Sequence, residues 1–268
     1  MASPALLFSI QGLVALRSCA ARLSHAAERF GDLFDGLEVG LHAHLADVTA
    51  GEMERPEARA ALSGFRRNVL HFALHPQHPM NASTLAAVVE LCNRWYGRGG
   101  FGQASFHLDL EPWFTILRRE IDPGMELLFE NLDSRSEAGN SLPEVVAAAA
   151  GHAAWGVVLD LAHVMELRPT GGESPQVFVE ALGDRIGEYH FSWPGHVYPE
   201  AMLPRDFRAM HSFASLVPAE AARAYAGLPF GRADAVTIEG VVPEGDRGEA
   251  LLRAEVDFLR ENFFGPED

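Results

Sequence analysis

Residues 155–164 read "WGVVLDLAHV", and this stretch decides the fold. An apolar run without alternation, 156–159, meets Asp160, and His163 follows three positions later. A strand reads this way when both of its faces are covered. An ionisable residue at its end is then delivered to one edge of the sheet. The habit recurs in chain order: "VLHFAL" at 69–74, "ASFHLDLEP" at 104–112, "ELLFENLD" at 126–133, "GEYHFSW" at 187–193 and "AVTIEGVV" at 235–242. Each run ends in, or carries near its end, His, Asp or Glu.

Working outward, apolar runs predict strands over 5–10, 36–41, 68–74, 104–108, 125–130, 156–160, 187–191 and 235–239. Helical spacing predicts helices over 18–30, 56–65, 83–96, 112–119, 142–150, 175–182, 205–216, 219–226 and 247–262. Asn81 or Ser83 can cap the third of these, and Pro143 suits the first turn of the fifth. Eight strand–helix units in a chain of 268 residues predict a (β/α)8 TIM barrel, α/β in class and one domain over 1–268. A doubly wound open sheet is the alternative. The first strand–helix turn, however, carries a single glycine where the dinucleotide fold needs G-x-G-x-x-G.

Hydrophobic residues make up 48% and charged residues 22%, an ordinary globular composition. No apolar run reaches the roughly 18 residues of a membrane helix. The opening "MASPALLFSIQGLVAL" lacks a basic start, so it is read as a first core strand rather than a secretion signal. Cys19 and Cys92 fall in helical patterns and form no CxxC, which predicts buried free thiols and a cytoplasmic location. A net charge of −16 with scattered arginines disfavours nucleic acid as a partner.

In a closed barrel the strand ends share one ring. That ring would gather His71 from strand three, His107 from four, Glu130 from five, Asp160 and His163 from six, His190 from seven and Glu239 from eight. Carboxylates packed together repel and raise each other's pKa unless a cation neutralises them. Carboxylate with imidazole predicts a divalent-metal site, suited to manganese, cobalt, iron or zinc. Glu130, Asp160, His190 and Glu239 are the strongest candidates, and His71, His107 and His163 follow. His75 and His78, in a loop beside prolines, are expected to be structural.

The pattern resembles the xylose isomerase-like TIM-barrel superfamily, which includes sugar isomerases and epimerases and endonuclease IV-type enzymes. The marks are "FEN" at 129–131, "LDLAH" at 159–163, "HFS" at 190–192 and "IEG" at 238–240. The resemblance implies that Glu130, Asp160, His190 and Glu239 hold the metal, with His163 touching substrate or a further ion. It also likens His71 and His107 to second-metal ligands of the endonuclease type, so one to three ions are expected. Two departures stand out. Position 196 is a His where the epimerases carry an Arg. No D-x-H follows strand seven, for which His196, Asp206 and His211 are loose substitutes.

The first function expected is an isomerase or epimerase acting on a small polyhydroxy carbonyl compound. Metal would stabilise an enediolate while Glu130 and Glu239 exchange protons with carbon, assisted by His163. His196 is the candidate substrate contact, and Phe8, Trp113, Trp193 and Tyr198 are candidates to pack on a sugar. A multinuclear iron oxidase or oxygenase, working on a peptide or small molecule, is the second reading. A metal-dependent hydrolase or lyase is the third. Homodimers are common on this barrel, and the assembly is left open.

Overall fold

A computed structural model describes residues 3–199, 202–203 and 207–264. Eight parallel strands close into a barrel. They are β1 (Ala5–Ser9), β2 (Gly36–His42), β3 (Asn68–Ala73), β4 (Phe101–His107), β5 (Glu126–Glu130), β6 (Gly156–Asp160), β7 (Ile186–Phe191) and β8 (Ala235–Ile238). Each pairs with its sequence neighbours, and β8 closes on β1 through Ala5↔Ala235 to Phe8↔Ile238. The expected α/β barrel is the fold observed.

The outer layer holds α1 (Cys19–Phe30), α2 (Ala46–Met53), α3 (Pro56–Ser63), α4 (Ala82–Trp95), α5 (Phe114–Glu120), α6 (Leu142–Gly151), α7 (Leu161–Leu167), α8 (Pro175–Leu182), α9 (Pro218–Ala224) and α10 (Asp246–Leu259). Ser18 and Asn81 accept the backbone N–H groups of Ala21 and Thr84, which fixes where α1 and α4 begin. Among the described residues no helix is long and apolar enough to cross a membrane. Cys92 is buried, Cys19 is half-buried, and both are free.

Side-chain alternation splits the core in two. Phe8, Leu37, Val39, Phe72 and Phe106 point outward and join the large apolar layer beneath the helices. Leu7, Val69 and Ala235 form a small separate cluster inside the barrel. Above that cluster the barrel interior is polar. Register neighbours Ser9↔Glu38, His71↔Ser105, His107↔Glu130, Asp160↔His190 and Thr237↔His190 share this inner face. Gly36 is required where β2 meets the neighbouring turn, because a Cβ there would lie 1.3 Å from the Arg67 carbonyl oxygen.

Several expectations need correction. α2 and α7 add to the expected helices, since each is a short helix wedged directly after a strand or turn. β4 begins at Phe101, ahead of the expected start, because exposed Gly102 breaks the apolar run. Of the expected helix over 205–216, the described residues form only a 3-10 turn at Ala214–Leu216. Arg205 and Asp206 lie outside the described residues, and His211–Ser212 instead pairs antiparallel with Trp193–Pro194. Phe8 is buried and stacks on Phe34 with ring centroids 5.3 Å apart, so it faces away from the barrel mouth. Tyr198 is also buried, and its hydroxyl donates to the Val241 carbonyl.

Candidate metal centre

The strand ends bring the expected residues together around Glu130. Its Oε2 lies 3.2 Å from His71 Nε2 and 3.5 Å from His107 Nε2. Its Oε1 lies 3.3 Å from His163 Nδ1 and 3.6 Å from His190 Nδ1. Each oxygen of one carboxylate thus faces a different pair of imidazoles. Glu239 Oε2 stands 3.4 Å from His190 Nδ1, and Asp160 Oδ2 stands 3.9 Å from the same nitrogen.

His163 sits on the first turn of α7 rather than on β6. Asp160 places it there by capping that helix, its Oδ1 accepting the His163 N–H at 2.8 Å. Asn131 in turn anchors Asp160: Oδ1 accepts the Asp160 N–H, and Nδ2 donates to the Asp160 carbonyl. The "FEN" and "LDLAH" segments are therefore locked to each other through backbone.

Three further groups join the site. His211, from the sequence only a loose substitute, has Nδ1 3.3 Å from Glu239 Oε2 and 3.8 Å from Asp160 Oδ2. Glu38 lies beneath, its Oε2 3.1 Å from His190 Nε2 and 3.5 Å from His71 Nδ1. Glu188 Oε1 is 3.7 Å from His190 Nε2 and accepts a hydrogen bond from Thr237, while its other oxygen accepts from Gln103. Sequence reasoning missed both glutamates. Glu38 had a signal: in "GLEVGLH" the apolar positions face out and Glu38 alternates with glycines facing in.

Of the candidate substrate contacts, Trp113 closes the turn Leu108–Trp113 after β4 and packs partly on the core. Trp193 lies on the two-stranded pair, 6.0 Å from the Tyr225 ring. His196 Nδ1 accepts the Ala209 N–H at 3.2 Å, which ties it to its own loop.

The electrostatics are those of a site short of cations. Glu130 Oε2, Asp160 Oδ2 and both ring nitrogens of His190 are buried with no hydrogen-bond partner. Orphaned polar atoms of this kind are costly in a protein interior. Burial pushes Asp160 up to about 6, with Glu239 and Glu130 adding to it against the pull of His163 and His211. Burial acts to raise Glu130, yet His190, His71 and His107 outweigh it and hold its carboxyl below the usual range. Burial acts to lower His190, but Glu239, Glu38 and Glu130 lift it well above an ordinary imidazole.

Among the described residues, four groups of side chains have ligand atoms within 4.8 Å of one another: Glu130–Asp160–His190–Glu239, His71–His107–Glu130, Asp160–His163–His211 and Glu38–His71–His190. The first three overlap through Glu130 and Asp160, which could each bridge neighbouring ions. The donor set of carboxylate and imidazole fits divalent manganese, cobalt, iron or zinc. All 21 basic residues are arginine, so no lysine is present to form a Schiff base on the substrate.

Solved structures with the same architecture include xylose isomerase-like TIM barrels. The chain shares the TIM-barrel fold with them. A D-allulose 3-epimerase from Methylomonas sp., in complex with D-allulose, matches with a TM-score of 0.65 at 13% identity, covering 97% of this chain and 98% of that one. Endonuclease IV from Thermus thermophilus matches at 0.60 and 17% identity, covering 96% and 100%. A xylose isomerase-like TIM barrel protein from Mycobacterium smegmatis, in complex with magnesium, matches at 0.58 and 14%, covering 96% and 95%. No family model matches the sequence, and no curated protein matches it.

Proposed function

We propose that this chain, a single domain over 1–268, is a divalent-metal-dependent enzyme that acts with two or more ions on a small, oxygen-rich, sugar-like substrate. One observation carries this reading. Glu130 Oε2 is buried without a hydrogen-bond partner between two imidazole nitrogens, while Oε1 faces the Asp160–His190–Glu239 group. A carboxylate placed in this way is suited to bridging two cations. Glu130, Asp160, His190 and Glu239 would hold one ion, and His71, His107 and Glu130 a second. Asp160, His163 and His211 offer a third position.

Bound ions supply Lewis-acid polarisation of a substrate oxygen and a more acidic coordinated water. The chain supplies the rest. Glu38 faces His190 Nε2 and turns Nδ1 toward the tetrad. Asn131 fixes the Asp160 backbone, and the Asn131 carbonyl, 2.8 Å from His163 Nδ1, accepts that ring's proton and leaves Nε2, 4.0 Å from Asp133 Oδ2, as the nitrogen with a free lone pair. The His71 and His107 rings wall Glu130 Oε2 off from a substrate. That geometry favours bond cleavage, as in a hydrolase or lyase, over a carbon-to-carbon proton transfer that uses Glu130 as base. Isomerisation or epimerisation is the second reading, favoured by Glu239. Its side chain keeps 15% of its surface exposed and is open to a substrate proton. The likeness to the D-allulose epimerase supports the sugar-like substrate class in both readings.

Metal analysis of the purified protein, followed by assays on sugar phosphates, ketoses and polyol ketones, tests the proposal. Two or more equivalents per chain are expected, with iron directing the assays to oxygen-dependent oxidation. Glu239→Gln is expected to abolish metal-dependent turnover with the fold intact. Undiminished turnover in that variant, or no binding of any divalent ion, would remove the basis of the assignment.

A further inference from the structure

Glu255, on α10, is fully buried, and among the described residues no cation pairs with it. A carboxylate is costly in such a place unless its oxygens are used. Both are used. Oε1 accepts the Ala214 N–H at 2.8 Å, and Oε2 accepts the Ser215 N–H at 2.7 Å. These two N–H groups open the 3-10 turn Ala214–Leu216, and the residue before it, Phe213, supplies no side-chain acceptor. One side chain, 40 residues on from Ser215, therefore caps the turn with both oxygens. Burial pushes its carboxyl up to about 7, against the pull of Ser215 and Ala214, so the charge is held there at a cost.

The capped turn roots the segment that carries His211. His211–Ser212 pairs with Trp193–Pro194, and Ser212 Oγ donates to the Gly195 carbonyl at 2.6 Å and accepts the Val197 N–H at 3.1 Å. Those bonds join the segment to the chain that has just left β7. Other ties fasten it to the body of the barrel. The Val241 N–H donates to the His211 carbonyl at 3.4 Å. The buried Phe213 ring lies against Gly240, beside Glu239, where a Cβ would have no room. Glu255 then holds the two residues that follow Phe213. Its bonds are charge-assisted, a class about twice as strong as neutral ones, which makes it the strongest backbone anchor of the segment. What the anchor places is a ring. His211 Nδ1 stands 3.3 Å from Glu239 Oε2 and 3.8 Å from Asp160 Oδ2, with Ser192 Oγ at 3.0 Å.

We propose that Glu255 is a positioning residue: by capping the 214–216 turn it sets where His211 stands against Asp160 and Glu239, and so completes the Asp160–His163–His211 ion position. The inference rests on the reading of that group as a metal site. It places control of one ion position on α10, a helix that contributes none of the clustered donors. Only Ser212 and Phe213 separate the donor from the anchored turn, so a shift at the anchor passes directly to the ring.

The test pairs two readouts on Glu255→Gln, whose amide keeps one acceptor oxygen and turns its NH2 toward the other backbone N–H. Glu255→Met, apolar and suited to a buried position, is a second variant without the anchor. In metal-free protein, carbethoxylation mapped by mass spectrometry is expected to reach His211 at least about tenfold faster in both variants, the effect of losing a charge-assisted bond on local opening. His190, buried at the barrel centre, should stay protected and serves as the internal control. In Co²⁺ titrations, His211→Ala is expected to bind one ion fewer than the unmodified chain. Glu255→Gln is expected to weaken that same equivalent about 10–100-fold and leave the others unchanged. Combining the two should cost nothing beyond His211→Ala, because both act on one ligand. A carboxylate that only steadied the fold would lower Tm without this non-additivity. His211 still protected in both Glu255 variants, or an additive loss in the double variant, would overturn the inference. A His211→Ala chain that binds as many ions as the unmodified one fails the reading beneath instead, and the carbethoxylation rates then decide the anchor on their own.

Discussion

Glu130→Gln removes one charge from the point where two ligand groups meet. The carboxylate contacts His71 and His107 through Oε2 and His163 and His190 through Oε1. An amide can present only one acceptor oxygen, and its NH2 would be directed at the His71, His107 or His190 nitrogens that are proposed to face a cation. Ions that bind the folded chain alone, at a free concentration of 100 times Kd, stabilise it by about 2.7 kcal/mol per site. A chain of 268 residues unfolds with an entropy near 0.56 kcal/mol/K at about 2.1 cal/mol/K per residue, so each site raises Tm by about 5 °C. Calorimetry of chelator-treated and Mn²⁺-saturated protein should show that rise, roughly doubled if both sites fill. Mn²⁺ favours oxygen-rich ligand sets, so the readout reports chiefly the barrel centre. In Glu130→Gln the rise should shrink to less than about 2 °C at the same free ion, with the metal-free fold retained. A variant whose Tm still climbs as far as the parent's would show that Glu130 is not the shared ligand.

Metal affinity should depend on pH with a defined sign. Burial acts to lower His211, but Asp160 and Glu239 outweigh it and lift it to about 9, so near neutrality it carries a proton that binding must displace. Affinity at the Asp160–His163–His211 group should therefore rise toward pH 9, by about tenfold per pH unit for that one proton. It should fall more steeply below about 6, where Asp160 is protonated as well; competition titrations across this range check the slope. Glu38→Gln should weaken binding by about 10–100-fold by freeing the His190 ring, measured by the same titration. Gly36→Ala forces a Cβ to 1.3 Å from the Arg67 carbonyl and should cost about 3 kcal/mol, read as a fall in Tm.

The barrel is legible because its strands are covered on both faces, so each announces itself as an apolar run with a polar end. Asp160, His190 and Glu130 stand out for that reason. What stays hidden does so for two physical causes. Glu38 and Glu188 lie inside the polar interior rather than at a strand end, and only a two-residue alternation betrays them. His211 falls in a segment whose apolar spacing mimics a helix, and its pairing with Trp193–Pro194 is a tertiary event that local periodicity does not encode. His75 and His78 stand beside His44 in the structure, a neighbour that nothing in one loop's sequence states.

That short antiparallel pair separates two kinds of candidate ligand. Glu38, His71, His107, Asp160, His190 and Glu239 are carried by barrel strands or by the residue immediately following one, and move only if the barrel moves. His211 arrives instead at the end of an excursion that leaves after β7 and returns through the Pro194↔His211 pairing. Lengthening, shortening or losing that excursion would add or subtract one candidate ligand while every strand keeps its register. The size of the donor set is thus an evolvable quantity on this scaffold, set by a loop and decoupled from the integrity of the fold.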